Sequence, residues 1–281
     1  MMIWNAKMSA KPIRCDFVMF ANQGNVCYKY CITSPKAFSL ISLDKAVVII
    51  PTYNEIANIE KMLETLHRLH PALNVLIIDD GSPDGTAGII KNFQQKNSNV
   101  HLIERTGKLG LGTAYIRGFK WALEKDFEAV ITMDCDFSHD PEAIPEFTNK
   151  IGQYDLAVGS RYIGGIRIMN WPMQRLLLSY FASIYARIIT GIPFSDSTGG
   201  FNCYSRKALK SLNLDKVFSI GYAFQIELKY KIWSQGLPCI EVPITFYERT
   251  VGKSKMSRKI VFEAVINVFR LRFKKILGIL Q

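Results

Sequence analysis

Four apolar runs, each stopped abruptly by a loop and followed by an amphipathic segment, constrain this chain more than any other feature. Ala46-Val-Val-Ile-Ile50 is stopped by Pro51-Thr-Tyr-Asn-Glu55 and followed by a helical pattern to about Leu69. Asn74-Val-Leu-Ile-Ile78 runs into Asp79-Asp-Gly-Ser-Pro-Asp-Gly-Thr86 and a helix through Phe93, and Val100-His-Leu-Ile103 leads to Gly107-Lys-Leu-Gly-Leu-Gly112 and a helix to about Leu123. The fourth run surrounds Val130. Short apolar runs bounded by turn residues read as buried strands. Strands alternating with helices imply an α/β fold: a mostly parallel, Rossmann-like sheet flanked by helices and joined by right-handed crossovers. All four strand-end loops then lie along one edge, where open α/β sheets bind ligands, and three of them carry acids.

The sharpest of these loops is the end of Ala129-Val-Ile-Thr-Met-Asp-Cys-Asp-Phe-Ser-His139. Residues i and i+2 of an extended chain point the same way, so Asp134 and Asp136 can converge on one ligand. Carboxylates that close repel unless a cation sits between them, and hard divalent ions such as Mg²⁺ or Mn²⁺ take oxygen ligands. The structural alternative is that the acids open the loop and cap a helix starting at Asp140-Pro141-Glu142. Asp80, at the end of the second strand, can accept hydrogen bonds from the imide or amine edge of a nucleobase while Asp134 and Asp136 hold a metal on a diphosphate. Together these describe a nucleotide-sugar site.

Other motif readings fit less well. Gly110-Leu-Gly112 follows a strand, but Tyr115 occupies the third glycine position of a dinucleotide loop. Asp80 to Asp84 before Gly85-Thr86 lacks the spacing of an aspartyl phosphatase. The net charge of +11 points to an anionic partner: nucleic acid, an acidic membrane surface or a phosphorylated substrate. The cysteines at 15, 27, 31, 135, 203 and 239 lack zinc-site spacing, and a reduced, cytosolic compartment is the expectation. Residues 1–44 have neither helical nor strand period and read as a poorly ordered extension without a signal-peptide core.

Taken in order, Pro51-Thr-Tyr-Asn-Glu55, Asp79-Asp-Gly-Ser-Pro-Asp-Gly-Thr86, Lys108-Leu-Gly-Leu-Gly-Thr-Ala-Tyr115, Asp134-Cys-Asp-Phe-Ser-His139 and Gly159-Ser-Arg-Tyr162 resemble the family 2 glycosyltransferases of GT-A fold. Within them they look like the dolichyl-phosphate (polyprenyl-phosphate) β-mannosyltransferases, from about Ala46 to Lys255. The resemblance implies a GT-A domain over residues 45–257 that transfers mannose, with inversion, from GDP-mannose to a polyprenyl phosphate using Mg²⁺ or Mn²⁺. By position, Pro51, Tyr53, Glu55, Ile78 and Asp80 would line the guanosine, and Asp134, Cys135 and Asp136 would meet the diphosphate and metal. Ser138 stands where some members place a glutamine metal ligand, and Cys135 where the family usually has alanine. Asp196-Ser-Thr-Gly-Gly-Phe-Asn-Cys-Tyr204 and Gly221-Tyr-Ala-Phe-Gln-Ile-Glu227 also match, which adds Ala223 to the donor set. Relatives often carry arginine where this chain has Asn202 or Ser205, and Arg206 is a candidate substitute. Pro243-Ile-Thr-Phe-Tyr-Glu-Arg249 and Gly252-Lys-Ser-Lys255 match a loop whose arginine and lysine contact phosphates, so catalytic parts fall to Asp136, Arg249 and Lys255. A phosphate monoester, with a second pKa of about 6, is mostly dianionic at neutral pH and needs positioning and charge screening more than a base. Arg161, Arg249 and Lys255 can supply that, and Glu227 is a positioning candidate.

The apolar stretch from Leu176 to Phe194 is interrupted by Arg187 and Gly191-Ile-Pro193, short of a span of ~20 residues, and reads as an interfacial or substrate-side helix. Residues 258–281 read as a basic amphipathic helix, suited either to an anionic bilayer surface or to docking on the domain or a small membrane protein. The expectation is an enzyme peripherally attached to the cytoplasmic face of a membrane. Two alternatives remain: a polyprenyl-phosphate glycosyltransferase using a UDP-sugar such as UDP-glucose, and a non-catalytic nucleotide- or nucleic-acid-binding protein, for which no nucleic-acid motif is present.

Overall fold

The computed structural model describes residues 40–219, 221, 223–248 and 258–278. The expected N-terminal extension lies outside the described residues as far as residue 39, and so do Arg249 and Lys255.

The first half of the chain builds four strand–helix units. They are β1 (Ala46–Thr52) and α1 (Ile56–Leu69), β2 (Asn74–Asp79) and α2 (Thr86–Gln94), β3 (Val100–Glu104) and α3 (Leu111–Glu124), then β4 (Ala129–Thr132) and α4 (Ile144–Thr148). After these come β5 (Leu156–Ser160), β6 (Ile168–Met169), α5 (Met173–Thr190), β7 (Asn202–Ser205), α6 (Arg206–Ser211), α7 (Ala223–Ser234), β8 (Cys239–Pro243), β9 (Phe246–Tyr247) and α8 (Arg258–Ile276). Seven strands form one sheet in the order β3-β2-β1-β4-β7-β5-β8, and β6 pairs with β9 separately. As the patterning requires, β1 to β4 are mutually parallel and their carboxyl ends share an edge. The departure is β7, which runs antiparallel between β4 and β5.

The sheet is buried on both faces, which is why its first strands are apolar without alternation. One core packs Val47, Ile49, Tyr115, Phe119 and Tyr204 under α3, α6 and α7. The other packs Val48, Ile50, Ile59, Leu63 and Phe147 under α1, α2 and α4. Helix α3 lies so close to β1 that a Cβ on Gly118 would come 2.8 Å from Ile49 Cγ2.

Candidate active site

The acidic second loop divides its labour. Asp79 accepts Thr52 Oγ1 at 2.8 Å and Ser82 N at 2.8 Å, and Asp84 accepts Thr86 N at 3.0 Å and Ile56 N at 3.1 Å. Both therefore stitch the loops after β1 and β2 together, with Asp84 satisfying an amide at the start of α1 from another loop. Asp80 turns the other way. Its Oδ1 accepts Arg105 Nε at 2.6 Å and its Oδ2 accepts Leu109 N at 3.3 Å, while Arg105 also reaches Thr113 Oγ1 and the Gly110 carbonyl. Gly81, at φ +67°, makes this approach feasible: a Cβ there would stand 3.0 Å from the Arg105 carbonyl. Lys108 lies over the Tyr53 ring, 5.0 Å from its centroid. Pro51, Tyr53 and Glu55 are half-buried beside this latch. Ile78 is fully buried, so only its backbone could meet a nucleoside.

At the end of β4 the chain makes a tight turn. Cys135 points into the core, while Asp134 and Asp136 remain partly exposed. Both carboxylates raise the pKa of the buried Tyr115 hydroxyl, whose displacement comes first from burial and which also hydrogen-bonds Asp134. The two acids thus share one small region, as their i, i+2 spacing predicts. Asp136 Oδ1 accepts Ser138 N at 3.1 Å and Ser138 Oγ at 2.6 Å, which holds Phe137 in the left-handed region at φ +59°. Ser138 is buried with its hydroxyl directed onto Asp136. The helix-capping task falls instead to Asp140, which accepts Glu142 N at 3.0 Å ahead of α4.

Two carboxylates are hard oxygen donors suited to Mg²⁺ or Mn²⁺, and Ser138, expected as a third ligand, instead turns its hydroxyl onto Asp136. Among the described residues no group of three or more His, Cys, Asp and Glu side chains could hold a metal ion. The remaining coordination would therefore fall to diphosphate oxygens and water, a common arrangement for such ions beside nucleotides. The residues fit a divalent cation that takes only part of its coordination from the protein.

After β5, Arg161 is buried and engaged with Asp196: Nε and Nη2 donate to its two oxygens at 2.6 and 2.8 Å. Burial alone would raise the Asp196 carboxyl, but the Arg161 charge and hydrogen bonds outweigh it and bring the pKa down to about 2. Lys229, fully buried, donates to the carbonyls of Asp196, Ser197 and Gly199; burial lowers its pKa to about 8 against the opposing charge of Asp196. Arg161 also lies 5.5 Å from the ring centroids of Trp171 and Phe246. Nearby, Arg175 stacks on Trp171 at 4.0 Å and pairs with Glu248 at 2.6 Å. Ala223 is buried at the start of α7. Glu227, also buried, accepts Ser219 N at 3.0 Å and pairs with Lys231, which ties Ser219 to α7. Arg206 lies at the far end of β7, where its amide bonds the Glu128 carbonyl at the start of β4.

Arg105, Tyr115, Asp196 and Trp171 were not singled out from the sequence as individual site residues. Only Arg105 left a local signal, a lone cation between a strand and a glycine-rich turn facing an acid-rich loop. The others depend on long-range pairing.

An acid-bearing strand-end edge beside the point where strand order reverses, on a mostly parallel sheet with one inserted antiparallel strand, defines the GT-A architecture. The chain belongs to glycosyl transferase family 2, whose model matches residues 47–212. It is 42% identical over 226 residues to an undecaprenyl-phosphate mannosyltransferase of Micrococcus luteus, covering 80% of this chain and 93% of that protein. It is 41% identical over 226 residues to a polyprenol monophosphomannose synthase of Mycolicibacterium smegmatis, covering 80% and 85%. Among solved structures it resembles glucosyl-3-phosphoglycerate synthase of Mycobacterium tuberculosis in complex with Mn²⁺, UDP and glucosyl-3-phosphoglycerate. The TM-score is 0.59 at 18% identity, over 88% of this chain and 86% of that one.

Proposed function

We propose that this glycosyltransferase moves mannose from GDP-mannose to a polyprenyl phosphate, with inversion, at the cytoplasmic face of a membrane. The observation that carries this reading is the 41–42% identity, over 85–93% of their length, to two enzymes named for mannose and polyprenyl phosphate. Asp134 and Asp136 would hold a divalent ion, Mg²⁺ or Mn²⁺, with Ser138 fixing the orientation of Asp136. When bound there, the ion stabilises charge on the departing nucleoside diphosphate. Pro51, Tyr53, Glu55 and the Ile78 backbone border the nucleoside. Arg249 and Lys255 supply cations to the donor and acceptor phosphates. Arg161, paired with Asp196, contributes through its position rather than as an uncompensated cation. In-line attack by the acceptor phosphate on the anomeric carbon turns an α-linked donor into a β-linked product.

The membrane part of the proposal draws on α5 and α8. Only three residues of the eighteen in α5 are buried, and Leu177, Phe181 and Ile188 are exposed. Phe269 of α8 meets Tyr185 of α5, which brings Ile266, Phe269 and Phe273 alongside as a second exposed apolar row. Monomeric proteins rarely leave so much contiguous apolar area to water, and a lipid acceptor must be met at a bilayer surface. Among the described residues no helix is long and apolar enough to cross a membrane.

A UDP-sugar donor is the second reading: Arg105 and Leu109 N hold both Asp80 oxygens in place, and an acceptor so placed serves the imide N–H of uracil as well as that of guanine. The deciding experiment offers GDP-mannose, UDP-glucose and UDP-N-acetylglucosamine with polyprenyl phosphate, with and without chelator. Chelator-sensitive lipid-linked mannose from GDP-mannose alone is expected, and glucose transfer in its place would overturn the mannose assignment.

A further inference from the structure

His139 follows the carboxylate pair closely and has no part in the chemistry above, yet it is buried at the centre of the turn. Its Nδ1 accepts the backbone N–H of Asp134 at 3.1 Å. Nδ1 must then carry a lone pair, and the ring proton sits on Nε2. The ring stacks on Phe201 with centroids 5.0 Å apart and meets Phe246 edge-on at 5.4 Å. Its backbone forms an antiparallel bridge with Phe246, and Tyr247 N donates to the neighbouring Ser138 carbonyl at 3.3 Å. The imidazole is therefore held by Phe201, just before β7, and by Phe246 of β9, and is directed at the first residue of the acidic turn.

We infer that His139 is a positioning residue for the metal-binding turn: by accepting the Asp134 amide it fixes where the two carboxylates stand. The inference rests on the metal role proposed for Asp134 and Asp136. Without that acceptor the Asp134 N–H would lose its partner, and the turn between Met133 and Ser138 would be free to rotate Asp134 away from Asp136. Met133 is independently tied by its N–H to the Ile49 carbonyl at 3.1 Å, so any freedom is confined to the residues that bear the carboxylates. Groups that orient metal ligands typically change metal affinity about 10- to 100-fold when removed.

Asparagine and glutamine test this directly. An asparagine side-chain oxygen can occupy the place of Nδ1, whereas a glutamine amide reaches the place of Nε2. Mn²⁺ binding in the presence of GDP can be followed by the loss of the free-ion paramagnetic resonance signal, with GDP binding in chelator and thermal melts as controls. His139→Asn should keep Mn²⁺ affinity within a few-fold of wild type. His139→Gln and His139→Phe should weaken it about tenfold or more, with metal-free GDP binding unchanged. Should His139→Phe fail to fold, the Asn and Gln variants still decide. Equal Mn²⁺ affinity in those two would overturn the positioning role and leave His139 as packing. Asp136→Asn run in parallel separates the two levels. If it too binds Mn²⁺ normally, the metal reading itself has failed and takes this inference with it; if it alone loses Mn²⁺, only the inference has failed.

Discussion

Asp136 and Asp196 are both carboxylates with hydrogen-bonded oxygens, and neutralising them should have opposite consequences. Asp136→Asn keeps an oxygen able to accept Ser138 N and Oγ, so the turn should fold, while the negative charge that holds a cation is lost. Transfer should fall by orders of magnitude at saturating Mg²⁺ or Mn²⁺ with little change in melting temperature; near-normal turnover would refute the metal role. Asp196→Asn instead leaves the buried Arg161 guanidinium without its counter-charge, a loss of about 3–5 kcal/mol. The sign with pH is fixed by the carboxyl lying at about 2 in the folded chain against an ordinary 3.8. Its stabilisation is fully present above pH 3.8 and disappears as pH falls through about 2. Denaturant titrations should show a wild-type advantage over Asp196→Asn at pH 7 that narrows towards pH 2; a constant gap would contradict this. Asp134 and Asp136 were legible because an i, i+2 pair after an apolar run needs no tertiary information. The engagement of Asp80 by Arg105 and of Asp196 by Arg161 was not, since those partners lie 25 and 35 residues apart in the chain.

Helix α8 docks on the domain, one of the alternatives raised by its sequence, and still keeps an outward apolar face. Val268 and Leu271 are buried against the domain, while Ile266, Phe269 and Phe273 face outward. Its charges do not all follow the outward face. Arg270 and Lys274 lie over Phe218 at 4.6 and 4.2 Å, and Lys275 donates to the Ser234 carbonyl. On the proposed membrane reading, apolar insertion rather than a basic stripe supplies most of the attachment. Binding to anionic vesicles should therefore weaken only modestly as salt rises, not by the ~1 kcal/mol per cation that surface-facing lysines would contribute. Phe181→Glu with Phe273→Glu should abolish vesicle co-sedimentation and transfer to membrane-embedded acceptor while sparing GDP binding; unchanged co-sedimentation would remove these helices from the membrane. Deleting α8 is a poorer probe, because exposing the partners of Val268 and Leu271 should itself lower the melting temperature. Apolar periodicity gave the helix, but which cations turn inward depends on Phe218, outside any local pattern.

For the molecule as a whole, the parallel half of the sheet was written in apolar runs, and the second half was not. Strand β7 reads Asn202-Cys-Tyr-Ser205, which no hydrophobic pattern marks, yet it is buried between β4 and β5. It is accommodated by polar pairing: Asn202 Nδ2 donates to the Gly199 carbonyl and to Gln225 Oε1, each at 3.1 Å. The join between the halves is tight enough to test. A Cβ on Gly159 would come within 2.5 Å of the Phe201 carbonyl, a backbone atom that cannot swing aside. Gly159→Ala should therefore destabilise the chain by about 3 kcal/mol, whereas Gly107→Ala, with open space around it, should be nearly neutral; equal denaturation midpoints would show that the join can relax. The same join dictates when the protein becomes competent. A domain generally folds as a unit, and the ring of His139 leans on Phe201 and Phe246, which are translated long after the strand that precedes the carboxylates. A nascent chain that ends before those residues would carry the nucleotide loops in its sequence but lack the braces of the acidic turn, so catalytic competence would have to wait for the whole domain.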